Sequence, residues 1–232
     1  MEALAAASED MTIAEIATAI SVHRTIAHRL LATLQQRQFV SRNSLGRYRL
    51  GTRVVCLAAS LGGDLRAIAR PLLTALSAEI DETVHLVVLS NANVLFIDAF
   101  ESSKALRVAS RVGRFLPAHS TSVGKVLLSA LSDVELRNLY PEAKLEKTAP
   151  NTVTSRAKLL KQLGEVRELG YATSNEESEA GVGSVGVRIV DRSNATRGAL
   201  SIAAPISRLT PKNLPRLIEA AKETAAKISE QL

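Results

Sequence analysis

Between Thr12 and Leu34 the sequence TIAEIATAISVHRTIAHRLLATL carries two helical repeats separated by only two residues that fit neither. Thr12 followed three residues later by Glu15 is a capping box, so a helix opens there. Ile13, Ile16, Ala17 and Ile20 give it one apolar face. Ser21-Val22 breaks the period, and a second helix is expected from His23 to Gln36. Its apolar stripe is Ile26, Ala27, Leu30, Leu31 and Leu34. Two short helices joined by a tight turn form a helix-turn-helix, whose second helix presents its N-terminal side chains.

The charge pattern says what that helix faces. From Ile16 to Gly63 there is no Asp or Glu, while Arg24, Arg29, Arg37, Arg42, Arg47, Arg49 and Arg53 fall in the same span with no lysine among them. Later residues mix 22 basic with 19 acidic side chains. A front end of one sign beside a mixed remainder points to a polyanion; the competing reading is a basic surface that only confers solubility. Arg24, Thr25, His28 and Arg29 are the expected major-groove residues, since phosphates or base edges complete arginines that lack internal partners. His28 also admits a plain packed or surface reading. Next, Phe39-Val40 start a strand, RNSLGR turns with Gly46 free to take positive φ, and RYRL returns. That hairpin is a wing, placing Arg42, Arg47 and Arg49 at the sugar–phosphate backbone, with Tyr48 packed beneath it.

A chain of 232 residues, 46% hydrophobic, is long enough for two domains. Aromatics are 3%, so Leu, Ile, Val and Ala must form the core. A single cysteine, Cys56, allows no internal disulfide and reads as a small buried hydrophobe. No apolar run reaches the roughly 18 residues of a spanning helix, and MEALAAASEDM lacks the basic region of a signal peptide. A cytoplasmic protein without membrane contact is expected. TRVVCLAASLGG reads as a helix stopping at Gly62-Gly63, and DLRAIARPLLTALSAEI as another that Pro71 kinks or divides near Arg70. The period then shortens. TVHLVVLS, NVLFIDAF and ALRVAS read as strands, TSVGKVLLSAL and SRAKLLKQLGEVRELG as helices, VGSVGVRIVD and RGALSIAA as a hairpin, and the last segment as an amphipathic helix. Strands joined by hairpins with helices in blocks argue an α+β class with a mainly antiparallel sheet.

The stretch MTIAEIATAISVHRTIAHRLLATL with its FVSRNSLGRYRLG wing resembles the winged helix-turn-helix of the IclR family of bacterial transcription regulators. Thr25-Ile26-Ala27-His28-Arg29-Leu30-Leu31 follows the family's recognition-helix pattern. The landmarks ETVHLVVL, LRVASRVGR, LPAHSTSVGKVLL, TAPNT, GYATSNEE and SRLTP extend the resemblance over nearly the whole chain. It implies a DNA-binding domain over 1–52, a linker helix over 53–66, and a GAF-like effector-binding and oligomerisation domain over 67–232. It further implies a homodimer or homotetramer on a palindromic double-stranded DNA operator, controlled by a small-molecule effector. By the same resemblance the effector pocket falls on Ala109, Ser110, Ser120, Thr121, Gly124, Ser174, Asn175, Glu176 and Ser184. Ser120, Thr121 and Gly124 stand at a helix start, where free N–H groups favour a carboxylate. The family often has Asp-Asp where Ser174-Asn175 stand, and a Cys at Ser184; the less anionic pocket points to an organic or aromatic acid.

Other motifs lead elsewhere only on paper. GVGSVG, residues 181–186, spells a dinucleotide fingerprint but is followed by strand-turn-strand rather than a helix. SVGK, residues 122–125, matches an acyl-enzyme motif whose partner motifs are missing. His119 has no acid near it in sequence. The four histidines, 23, 28, 85 and 119, show no metal spacing, and His85, inside an apolar strand, reads as buried and hydrogen-bonded. No motif requires a cofactor or a metal. The rival functions are a small-molecule enzyme with an incidental basic domain, which lacks a visible nucleophile–base pair, and non-specific nucleic-acid binding.

Overall fold

The structure, a computed structural model, describes the backbone of residues 1–60 and 63–232 and the side chains of 1–57 and 65–232. Its contacts divide the chain into Met1–Gly63 and Asp64–Leu232, inside the segment expected as a linker. In the first unit α1 (Glu2–Ala6), α2 (Ile13–Ala19) and α3 (Arg24–Gln36) precede a hairpin of β1 (Val40–Arg42) and β2 (Tyr48–Leu50). Thr12 and Glu15 close the capping box reciprocally, and the carboxylate of Glu15 is held below the ordinary range by its bonds from Thr12. Leu4, Ile16, Leu31, Val40 and Tyr48 make the small core. The apolar stripe of α3 is narrower than its sequence reads. Ala27 and Leu31 are buried, but Ile26 and Leu30 are 51% and 47% exposed. A unit this small covers one arc of the helix, and these two side chains fall beyond its edge. Ile20, at the end of α2, is likewise exposed.

Helix α4 (Arg53–Ser60) follows. Cys56 is exposed on it, correcting the buried reading. The expected stop at Gly62 lies outside the described residues. Helix α5 (Gly63–Ile80) runs unbroken through Pro71, so proline neither ends nor divides it.

The second unit is one antiparallel sheet in the order β5-β4-β3-β8-β7-β6. Its strands are β3 (Thr83–Ser90), β4 (Asn93–Phe100), β5 (Phe115–Pro117), β6 (Tyr171–Asn175), β7 (Val182–Val190) and β8 (Thr196–Pro205). Alternate residues point to opposite faces. Val84, Leu86, Val185, Val187, Leu200 and Ile202 pack against α5 and the closing helix α9 (Leu214–Ser229). On the other face Val87, Val94, Phe96, Ala172 and Ala199 meet α6 (Ser122–Leu128), α7 (Asp133–Leu139) and α8 (Arg156–Leu169). Gly170 ends α8 in the left-handed region, φ +73°, as its position predicts.

The expected strand over 105–110 does not form; the edge strand is β5. Side chains satisfy that segment instead of a ladder. Thr83 Oγ1 donates to Val108 O at 2.6 Å, and Ser110 N–H donates to Glu101 Oε1 at 2.9 Å. The 181–186 glycine stretch enters β7, with no helix after it. Its Gly186 matters for packing: a Cβ there would stand 2.7 Å from backbone atoms of Ser122 and Val123, so α6 rests directly on β7.

Candidate nucleic-acid interface and ligand cavity

The first site is an open cleft of about 590 Å³ between α3 and the hairpin, lined by Ile13, His23, Arg24, Thr25, His28, Arg29, Arg42, Gly46 and Tyr48. Five of the seven residues expected to meet DNA therefore share one concavity. His23, outside the expected set, caps α3: its Nδ1 accepts the Thr25 N–H. Arg24, Thr25, His28 and Arg29 are exposed, and among the described residues neither Arg24 nor Arg29 has an acid within ion-pair distance. The wing arginines divide. Arg42 Nε donates to Gly46 O at 3.0 Å and its guanidinium lies 5.4 Å from the Tyr48 ring centroid. Arg47 Nη1 donates to Asp10 O at 2.7 Å and stands 3.8 Å from Glu15 Oε2, tying the hairpin to the chain before α2. Arg49 Nε donates to Ser41 Oγ across the hairpin. Arg47 and Arg49 lie outside the cleft wall, since alternate strand positions point to the other face.

The second site lies in the sheet domain and has two parts. An outer cleft of about 420 Å³ is lined by the 106–111 segment, Arg114, Glu179–Val182 and Pro205. An inner cavity of about 20 Å³ is lined by His85, Phe96, Arg111, Thr121, Val123, Ser178, Val182, Ser184, Ser201 and Ala203. Arg111 and Val182 belong to both walls. Arg111, only 8% exposed, spans the boundary, with its Nη2 donating to Glu179 Oε2 at 2.6 Å. Ser122 and Ser184 share a hydroxyl bond of 2.7 Å beside the inner part.

Of the residues expected around an effector, Ala109 and Ser110 line the outer cleft and Thr121 and Ser184 the inner cavity. The rest do other work. Ser120 Oγ donates to Pro117 O, and Ser174 Oγ donates to Ser120 O. Gly124 presses on Ala118, where a Cβ would meet the carbonyl oxygen at 2.0 Å, and its N–H goes to Thr121 Oγ1 at 2.9 Å. At this helix start the Gly124 N–H is thus capped internally rather than free. Asn175 is exposed and its carbonyl accepts from Asn151. Glu176, at φ +54°, accepts the Gly181 N–H and shapes the turn.

Arg111, Ser178 and Ser201 escaped sequence reasoning because nothing local marks them. His85 was marked only in part. It is buried, but neither ring nitrogen has a hydrogen-bond partner among the described residues; its ring stands edge-on to Phe96 at 5.1 Å. Burial first, and the positive charge of Arg111 second, push its pKa down to about 3. His119 is accounted for: Nε2 lies 2.9 Å from Glu146 O, and the ring packs edge-on to Tyr140. Lys125 is sunk in an ion pair, its Nζ donating to Glu177 Oε1 at 2.7 Å and to Thr173 O at 3.0 Å.

A winged helix-turn-helix joined to a sheet domain with an internal cavity defines the class of two-domain transcription regulators. Residues 1–44 match the family model for the IclR helix-turn-helix domain, and residues 58–230 match that for the bacterial transcriptional regulator IclR C-terminal domain. The chain belongs to the IclR family. It is 32% identical to the HTH-type transcriptional regulator XynR of Escherichia coli (strain K12), over 96% of this chain and 90% of that one. An IclR transcriptional regulator from Alicyclobacillus acidocaldarius superposes with a TM-score of 0.78 at 30% identity, covering 96% of this chain and 90% of that one. An IclR homologue from Microbacterium hydrocarbonoxydans, solved in complex with 4-hydroxybenzoate, gives 0.82 at 25% identity, covering 100% and 95%.

Proposed function

We propose that this regulator reads a palindromic operator as a homodimer or a higher homo-oligomer, with Arg24, Thr25, His28 and Arg29 in the major groove and Arg42 and Arg49 on the sugar–phosphate backbone. The observation that carries the reading is the cleft between α3 and the wing. Cationic and hydroxyl side chains converge there, and the unpaired arginines need an outside anion. One winged unit buries too little surface for high specificity, so two copies on symmetric half-sites supply it. Arg47 serves chiefly as a brace between the hairpin and Asp10.

The effector is a small organic or aromatic acid held between the outer cleft and the inner cavity, with Ala109, Ser110, Thr121 and Ser184 in the wall. The complex of the Microbacterium homologue with 4-hydroxybenzoate supports this choice of class. The acid shifts DNA binding by fitting one arrangement of the protein better than another. Such a protein works beside the chromosome, in the bacterial cytoplasm. Footprinting on the DNA flanking its own gene, with and without an acid panel, tests the reading. A two-fold symmetric footprint that one acid shifts supports it. Equal affinity for all duplexes refutes it.

A further inference from the structure

We propose that His85 is the inner anchor of the effector site: on binding, its imidazole takes up a proton and pairs with the carboxylate of a small organic acid. This rests on the effector reading of the cavity and adds the residue and chemistry that select the ligand. His85 lies on β3 directly opposite Ser201 of β8 in the antiparallel register. Both side chains point to the sheet face that carries α6, and both line the inner cavity with Ser184. The imidazole is 1% exposed, and among the described residues neither of its nitrogens has a hydrogen-bond partner, while the backbone of Ala109 and the carboxylate of Glu101 stand near enough to favour its protonated form. Buried polar groups are nearly always paired, and each exception calls for an explanation. Here a ligand completes the pair, because the imidazole borders a cavity of mixed hydroxyl and apolar lining that shares Arg111 and Val182 with the outer cleft.

The surrounding charges select an acid. Arg111 faces His85 from the 106–114 segment, and its partner Glu179 is 61% exposed on the outer side. A ligand carboxylate can take the place of that exposed partner, leaving Arg111 paired. Glu101, at the end of β4, is engaged by Arg107 and the Ser110 N–H. From α6 comes Lys125, already neutralised by Glu177 of the 176–181 turn; Arg114 lines only the outer cleft. The other wall groups, from β4, α6 and its N-cap, β7, β8 and the turn before β7, are hydroxyl-bearing or apolar. A carboxylate offers only acceptors, so it satisfies an imidazolium, which offers only donors. A new negative charge at contact distance also favours the protonated ring. The inner cavity, about 20 Å³, holds little more than one water. The acid therefore enters with Arg111 displaced from Glu179, which links occupancy to the loops carrying these two residues.

Calorimetry with 4-hydroxybenzoate, benzoate and acetate on the full chain, in two buffers of different ionisation enthalpy, tests this. At about pH 6 the acid that binds takes up between about half and one proton from the buffer, falling toward zero by about pH 8.5. His85→Gln, checked for retained DNA binding, loses that proton uptake and binds the acid about tenfold to a hundredfold more weakly. If an acid binds with no proton uptake at any pH from about 5.5 to 8.5, or binds His85→Gln as tightly as wild type, the role of His85 is overturned and the cavity reading stands. If none of the acids binds wild type, the cavity reading falls and takes this inference with it. The wild-type proton count decides the matter even where the variant does not fold.

Discussion

Replacing Lys125 by methionine removes one member of the buried ion pair that pins the 176–181 turn to α6. The side chains of Lys125 and Glu177 are 4% and 10% exposed, so solvent does little to screen them. Among the described residues Glu177 Oε2 already lacks a hydrogen-bond partner. Without the ammonium, Oε1 loses its 2.7 Å donor, and Thr173 O loses one at 3.0 Å. Breaking a buried pair from one side costs about 3–5 kcal/mol, of which the uncompensated carboxylate is the larger part. At about 2–4 °C per kcal/mol for a domain of this size, a loss of about 4 kcal/mol lowers Tm by about 8–16 °C. Lys125→Met combined with Glu177→Leu removes both charges and regains at least half of that loss. Calorimetric melting of wild type, both single variants and the double variant gives the coupling energy directly. A single variant that melts within about 2 °C of wild type, or a double variant whose loss equals the sum of the singles, refutes the reasoning. The turn also carries Ser178 and Glu179 of the cavity walls, so Lys125→Met additionally weakens acid binding while duplex binding without acid is retained.

Arg24→Ala and Arg29→Ala each lower duplex affinity and reduce the slope of log K against log salt by about one where a phosphate contact is lost; Lys161→Ala, exposed on α8, changes neither in a binding titration. Gly186→Ala drives a Cβ to 2.7 Å from the backbone at the start of α6 and destabilises by about 1–3 kcal/mol, whereas Gly164→Ala, with nothing within 4 Å in mid-helix, stabilises by about 0.5–1 kcal/mol; denaturant titration checks the opposite signs. His85 also imposes a pH dependence. Its folded pKa, about 3, lies below the ordinary imidazole value of 6.5, so the unfolded chain binds the extra proton between those values. Stability falls as pH drops from about 6.5, with a slope approaching about 1.4 kcal/mol per pH unit. Carboxylates whose pKa is lowered, such as Asp81 and Asp191 held by hydrogen bonds, add loss of the same sign only in the more acid part of that range. His85→Leu flattens the upper part in a pH series of melts, and an unchanged slope there contradicts the buried neutral imidazole.

Much was legible along the chain because it depends on near neighbours. The capping box at Thr12, the hairpin turn at Gly46, the left-handed stop at Gly170 and the absence of acids from Ile16 to Gly63 are short-range facts, and each kept its meaning in three dimensions. The cationic cleft follows from them, since its residues sit on one helix and the hairpin just after it. Tertiary structure decided what covers each face and who partners each polar group. Periodicity counted Ile26 and Leu30 as core, but the small unit does not reach around α3 to cover them. Residues 105–110 look like a strand, yet Thr83, 25 residues before its partner Val108, and Glu101 take their backbone groups. His85 was recognisable as buried from its apolar neighbours. That both of its nitrogens would go unpaired among the described residues, opposite Ser201 and near Arg111, depends on three segments meeting across a sheet. Local sequence encodes helix and turn propensity, because those energies act over a few residues; burial and hydrogen-bond satisfaction are settled by groups tens to more than a hundred residues away, and only the folded chain brings them together.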